Sequence, residues 1–542
     1  MRAVVELNRR VGRRGGVVSG LGGLGGMAGV LVAGALGLIA PDLAGLTSSA
    51  FAQTRSAAAR ADEARGPLGR EIVAQVDNNK MGKASVGISI IDVDTGEVIA
   101  EYRERQRLIP ASNLKVLTAG TAAVMLGADY KFTTTFNIDG DKLVVVGSGD
   151  PAFADPELLK DKNVPLEQFL DSLIQPIVDA QVKGLRQVVV DDRAFDRDMV
   201  HPTWPKDQLS RWYCAPVSGF NFHTNIIELW PRPAGVGEPA TYRRVPDAPW
   251  LEIINRTKTV GNKGTTAIGL DRDGDSNKFV LSGTILAAPQ EPVSCTVSNP
   301  PAVFARLLAD RLQKHPSLLA TDEATGAPVR LTSRVASNDE KFDLSQPPIV
   351  AVQTPIFAVL RRCNVDSYNL YAEALIKTLG RSTGQSGSWG NGAAVIRMAV
   401  KDLVGPDAGD LVIVDGSGMS AENAVSPSLL SRWLAAIARN KDVGTMFIDS
   451  LPQPGEGTLV KRFAKRPPGI IHAKSGFIRG VQCLSGYIIN PENNRRLAFS
   501  VMANRLELAQ GSAKELHEDV VRKAAEWLEK QPVRSAREKI GG

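Results

Sequence analysis

Histidine and cysteine are scarce in this chain, with five of the first and four of the second among 542 residues. Cys214, Cys295, Cys363 and Cys483 stand far apart, with no C-x-x-C spacing, which argues against a zinc ribbon. No H-E-x-x-H occurs. DRDGDSNKF at 271–279 fails as a calcium loop, because Ser276 and Ser282 occupy the positions that need glycine and glutamate. It reads as a polar turn, and no metal or other cofactor is expected. A basic run with interleaved aromatics is also missing, so nucleic acid is not an expected partner. The formal charge is +6, and half of it comes from residues 1–52, where five arginines face only Glu6 and Asp42. The remainder is ordinary for a globular protein, 43% hydrophobic and 23% charged, and long enough for about two to four domains.

The N-terminus has the pattern of a targeting segment. RRVGRRGG is a basic stretch, VVSGLGGLGGMAGVLVAGALGLIA is a long apolar one, and Ala50 and Ala52 give an A-x-A cleavage pattern before Gln53. Residues 1–52 are therefore read as a signal peptide, with a retained anchor as the alternative, since the apolar stretch is long enough to span a bilayer. Either way the folded part is expected outside the cytoplasm, in the periplasm or cell envelope. One or two disulfides would be allowed there, with pairings the sequence cannot give.

Along the mature chain, residues 85–104 alternate around an Asp-Thr-Gly-Glu turn and predict a hairpin. An apolar helix is expected just after PASNLK at 110–115. Further helices are predicted at 367–380, 391–405, 426–440 and 513–531, and one at 299–314 with Ser298 or Asn299 as its cap. Short strands are expected at 252–260, 265–273 and 278–286, and three more over 469–505. The hairpin, the helices and the late strands make one α/β unit interrupted by a long insertion. We read 53–135 and 336–542 as the two segments of that unit and 136–335 as inserted, with a smaller β-rich module near 231–290.

Ser112 and Lys115 form the only S-x-x-K in the chain. A serine hydroxyl is a poor nucleophile at neutral pH unless a base lies within hydrogen-bond reach. On a helix, residues three apart share a face, so a lysine there can serve, provided burial or a second cation lowers its pKa. Taken alone, Ser112 reads first as a helix cap and Lys115 as a surface charge. Two further triplets follow in order: Ser367-Tyr368-Asn369 at a predicted helix start, and Lys474-Ser475-Gly476 inside a predicted strand. S-x-x-K followed by such S-x-N and K-[ST]-G triplets is the signature of penicillin-binding enzymes.

Beyond the triplets, GSGDPAF (147–153), NVDSYNLYAEALIKTLG (364–380), DGSGMS (415–420), LPQPGEGTLVKRF (451–463) and HAKSGFIRGVQCLSGY (472–487) complete the pattern. With them the chain resembles the D-alanyl-D-alanine carboxypeptidase/endopeptidase family, the class C low-molecular-mass penicillin-binding proteins. That resemblance implies an α/β (α+β) transpeptidase-like domain with an antiparallel sheet and helices, interrupted by inserted β-rich domains. It implies peptidoglycan stem peptides ending in D-Ala-D-Ala as substrate and β-lactam antibiotics as inhibitors. Ser112 would attack the penultimate D-Ala carbonyl and form an acyl-enzyme, and Lys115 would take its proton. Ser367 would relay a proton to the leaving amine and Asn369 would hold the substrate amide. Lys474 and Ser475, with Gly476 beside them, would bind the terminal carboxylate. The amides of Ser112 and Phe477 would form the oxyanion hole.

Three departures stand out. Tyr368 occupies a position often aspartate in the family, and Ser475 replaces threonine while keeping the hydroxyl. Ala421 stands where an arginine often contacts the stem-peptide side chain. DGSGMS on its own reads as a structural glycine turn. A β-lactamase, a non-catalytic wall-binding homologue and a hydrolase with another triad are the rival readings. The sequence leaves open the carboxypeptidase–endopeptidase balance and the choice between monomer and homodimer.

Overall fold

The computed structural model of the protein describes residues 4–6, 64–408, 411–507 and 510–534. The targeting segment read over 1–52 lies outside these residues, apart from the short strand Val4–Glu6. Among the described residues, no helix is long and apolar enough to cross a membrane.

Residues from the two ends of the described chain build one antiparallel sheet. Its five strands run in the order Ile470–Ile478, Val481–Asn490, Arg495–Asn504, Ser85–Asp92, Val98–Tyr102. The expected hairpin is present. Its turn is held by the Asp92 carboxylate, which accepts from the amides of Asp94 and Thr95 at 2.9 and 3.0 Å, and Gly96 supplies the left-handed residue. The strand Val481–Asn490 is buried almost throughout because helices cover both of its faces. Alternation divides its side chains. Cys483 and Tyr487 join a core with the helices Leu114–Leu126, Asn369–Ser382, Trp389–Val404 and Pro427–Arg439. Leu484 and Ile488 join a second core with the helices Gly69–Asn78 and Gln510–Glu529. Two of the predicted helices begin on serine caps, Ser388 and Ser426, whose side chains accept from the amides three residues on.

The chain leaves this unit along the strand Lys131–Asp139 and returns along its antiparallel neighbour Val350–Pro355, with Phe136 opposite Val350. Both belong to a six-stranded sheet that also contains Val4–Glu6, Lys142–Val146, Gln187–Asp191 and Thr332–Val335. Against it lie the helices Leu166–Asp179 and Pro300–Leu312, in a separate core. Asn299 rather than Ser298 caps the second helix, accepting from the Ala302 amide. The three short strands expected after residue 250 are Glu252–Thr259, Ala267–Arg272 and Lys278–Ile285, in one small sheet. The 271–279 stretch spans the ends of the last two and the turn at 273–277 between them. A second small sheet joins Val293–Thr296, Ile226–Arg232 and Thr241–Val245. All four cysteines are buried and unpaired, so the disulfides left open by the sequence are not formed.

Candidate functional site

The serine and lysine of the first triplet meet because the chain winds tightly there. Ser112 sits in a 3₁₀ turn, Ala111–Asn113, that runs into the helix Leu114–Leu126. Three residues per turn place i and i+3 directly above one another. Lys115 is fully buried, and its Nζ donates to Ser112 Oγ at 3.0 Å, to Asn369 Oδ1 at 2.7 Å and to the Ser417 carbonyl at 2.9 Å. Burial pushes its pKa down to about 8, against the opposing pull of Cys363, Glu373 and Asp415. Ser112 itself is half-buried, and its hydroxyl serves the lysine rather than capping a helix.

The second triplet lies at the start of Asn369–Ser382. Asn369 is the first helical residue, while Ser367 precedes the helix with φ +60°, a left-handed conformation that costs a non-glycine residue about 1–2 kcal/mol. That bend turns the serine hydroxyl toward Lys474, whose Nζ donates to Ser367 Oγ at 2.8 Å and to the Ser475 carbonyl at 2.8 Å. Lys474 lies on the edge strand Ile470–Ile478 and is fully buried. Its pKa is pushed well below the ordinary lysine value by burial first and by the charge of Lys115 second. Along this strand Lys474 and Gly476 fall on the buried side, Ser475 is half-buried and Phe477 is 57% exposed.

Gly476 explains how the strand comes so near the serine. A Cβ there would stand 2.7 Å from the Pro110 carbonyl oxygen and 2.9 Å from the Asn113 amide nitrogen. Only glycine allows that approach. The structure thus brings together two hydrogen-bonded groups, Lys115 with Ser112 and Asn369, and Lys474 with Ser367, whose lysines act on each other through charge, with Ser475, Gly476 and Phe477 on the adjoining strand.

Residues 70–526 match the family model of the D-Ala-D-Ala carboxypeptidase 3 (S13) family. The chain belongs to this family. It is 28% identical over 464 residues to the D-alanyl-D-alanine carboxypeptidase of Actinomadura sp. (strain R39), a match covering 81% of each chain. It is 21% identical over 443 residues to the D-alanyl-D-alanine carboxypeptidase DacB of Haemophilus influenzae, covering 78% of this chain and 85% of that one. The crystal structure of penicillin-binding protein 4 (dacB) from Haemophilus influenzae shares the fold, with a TM-score of 0.66 at 21% identity, over 84% of this chain and 99% of that one.

Other residues of this cluster were not visible in the sequence as functional residues. The DGSGMS turn, read as structural, contributes the Ser417 carbonyl to Lys115. Glu373, one turn beyond Asn369, accepts from the amides of Gly416 and Ser417 at 2.9 and 2.8 Å and from Trp389 Nε1 at 2.7 Å. The 136–335 stretch also reaches in, since the Tyr213 carbonyl accepts from Asn369 Nδ2 at 2.8 Å. Tyr368 is buried between the Trp212 and Tyr371 rings, with the Arg362 guanidinium over its face, and so ties the second triplet to Trp212. Paired glycines around Ser417, and a glutamate four residues after Asn369, were the available signals.

Proposed function

We propose that the protein is a serine-type D-Ala-D-Ala carboxypeptidase acting on peptidoglycan stem peptides, with DD-endopeptidase activity on cross-links that enter the same cleft. The observation that carries this reading is the buried Lys115 amine shared between Ser112 Oγ and Asn369 Oδ1. With a pKa of about 8, roughly a tenth of Lys115 is neutral at pH 7. In the neutral amine, Asn369 Oδ1 and the Ser417 carbonyl hold the two remaining protons, and the lone pair is left toward Ser112.

On this reading Lys115 takes the Ser112 proton as the hydroxyl attacks the penultimate D-Ala carbonyl. The developing oxyanion is held by the amides of Ser112 and Phe477. The terminal carboxylate binds at Lys474 and Ser475, beside Gly476, and its charge favours protonated Lys474. A cation there in turn favours neutral Lys115, so substrate binding prepares the base. Ser367 passes its proton to the departing D-Ala nitrogen and takes one from protonated Lys474, to which it is hydrogen-bonded, while Asn369 orients the substrate amide. Water then attacks the acyl-enzyme, giving its proton to the now neutral Lys474, and the Ser112 oxygen leaves with the proton that Lys115 took from it. A β-lactam acylates the same serine.

The same reading assigns 53–135 and 336–542 to the catalytic domain and 136–335 to an insertion that shapes access. It also places the enzyme in the periplasm or cell envelope after cleavage of the leader. The N-terminal pattern and the location of peptidoglycan support that placement. Mass spectrometry of monomeric and cross-linked muropeptides, before and after incubation, tests the activity. Loss of one D-Ala is expected for the wild type and not for Ser112→Ala. An inert wild-type enzyme that also fails to bind labelled penicillin covalently would end the proposal.

A further inference from the structure

We propose that Glu373 is a positioning residue for the lysine base, anchoring the 416–417 segment that presents the Ser417 carbonyl to Lys115 Nζ and lying close enough for its carboxyl group to act on that amine. This rests on Lys115 acting as the base.

Geometry leads to it. Asn369 and Glu373 are four residues apart on one helix and share a face. The first supplies an oxygen to Lys115 directly. The second supplies one indirectly, since each of its carboxylate oxygens takes a backbone N–H of the 416–417 segment. The segment has little room to move. A Cβ on Gly416 would meet the Ala372 carbonyl oxygen at 2.5 Å, and one on Gly418 would meet the Ala111 carbonyl oxygen at 1.9 Å. Thr118 Oγ1 adds a hydrogen bond to the Gly416 carbonyl at 2.7 Å. Glu373 therefore anchors the two peptide units that lead into the Ser417 carbonyl, while the unit bearing that carbonyl is held by the Gly418 amide, which donates to Asp415 Oδ1 at 2.9 Å.

Charge adds a second consequence. The titratable groups facing Lys115 are Glu373, Asp415 on the loop, Cys363 on the helix Ile356–Val365 and Lys474 on the edge strand. Those facing Glu373 are Asp415, Lys115, Cys363 and Lys377, one turn further along its own helix. Lys377 is already paired with Asp196 at 2.5 Å and donates to the Asp198 carbonyl, and His201 faces Asp415 from the insertion. Burial and the nearby Asp415 charge push Glu373 up to about 7. As an anion it raises the Lys115 pKa; neutral, it lets that pKa fall.

The test is the pH dependence of Ser112 acylation by a fluorescent penicillin in the full chain. In the wild type the rate should rise with pH toward a midpoint near 8, as Lys115 loses its proton. Glu373→Gln should move that midpoint down by about one pH unit. The plateau should fall too, because one backbone donor then faces an amide N–H. Trp389→Phe removes a donor to Glu373, raises the carboxyl pKa further and should move the midpoint the same way by less. A uniform rate loss with an unmoved midpoint in Glu373→Gln overturns the proposal; if that variant does not fold, an unmoved midpoint in Trp389→Phe does so. Lys115→Met separates the two readings. If it acylates at the wild-type rate, Lys115 is not the base; if it is inactive and the midpoints are unmoved, Glu373 alone is excluded.

Discussion

Gly476 and Ser112 face each other through backbone, and a Cβ on Gly476 would stand 3.2 Å from the Ser112 amide nitrogen. Gly476→Ala should therefore displace the edge strand from the serine turn, since the other near contacts are also backbone atoms. Displacement of about 1 Å is enough to cost roughly 100-fold in rate. The strand keeps its antiparallel pairing with Val481–Asn490 and the fold should persist. Stopped-flow acylation together with circular dichroism checks both halves of this expectation.

Asn369→Asp reverses the electrostatic logic at nearly constant shape. It would place a carboxylate 2.7 Å from Lys115 Nζ. A nearby anion favours the ammonium form and raises its pKa by about 1–3 units. Acylation at pH 7 should fall about 10- to 1000-fold, and part of the loss should return as pH is raised. A rate loss independent of pH would contradict this account.

His517 offers a stability test away from the site. Its ring is fully buried, neither nitrogen has a hydrogen-bond partner, and burial first, then the charges of Arg462 and Lys514, hold its pKa well below the ordinary value. The folded protein keeps it neutral, while the unfolded chain takes a proton below about pH 6.5. The unfolded state then binds more protons, so stability falls as pH falls, by about 1.4 kcal/mol per unit for this one group. Asp150 and Glu373 contribute with the opposite sign, because their folded pKa values are raised to about 6 and about 7. The measurement is therefore a difference: between pH 7.5 and pH 5, His517→Leu should lose less unfolding temperature than the wild type.

The unpaired cysteines predict indifference to reductant. Melting temperature should be the same with and without dithiothreitol. Alkylation of the native protein should leave all four thiols intact, and alkylation after denaturation should modify four.

Much of this was legible in the sequence, for physical reasons that can be named. Ser112, Lys115, Ser367, Asn369 and Lys474 sit in short motifs whose spacing is set by local geometry, a 3₁₀ turn, a helix start and a strand. The hairpin and the late strands were visible because alternation and turn residues are local as well. What escaped was set by tertiary contact. Nothing within a few residues of Tyr213 says that its carbonyl will meet Asn369, and a backbone carbonyl such as that of Ser417 has no identity in a sequence at all. Disulfide pairing stayed open for the same reason, since only the tertiary structure decides which thiols meet, and here all four stay free and buried.

The five-stranded sheet also imposes an order of events during synthesis. Ser85–Asp92 pairs with Arg495–Asn504, so Asp92 waits for Leu497, about 400 residues later in the chain. Until then the early hairpin has an apolar edge and no partner, the condition under which nascent strands associate wrongly. Contacts of such long sequence separation also close slowly. The site joins Lys474, on a strand of that same sheet, to Ser112, 362 residues earlier, so it should be among the last features to form, and penicillin labelling during refolding should lag the recovery of secondary structure.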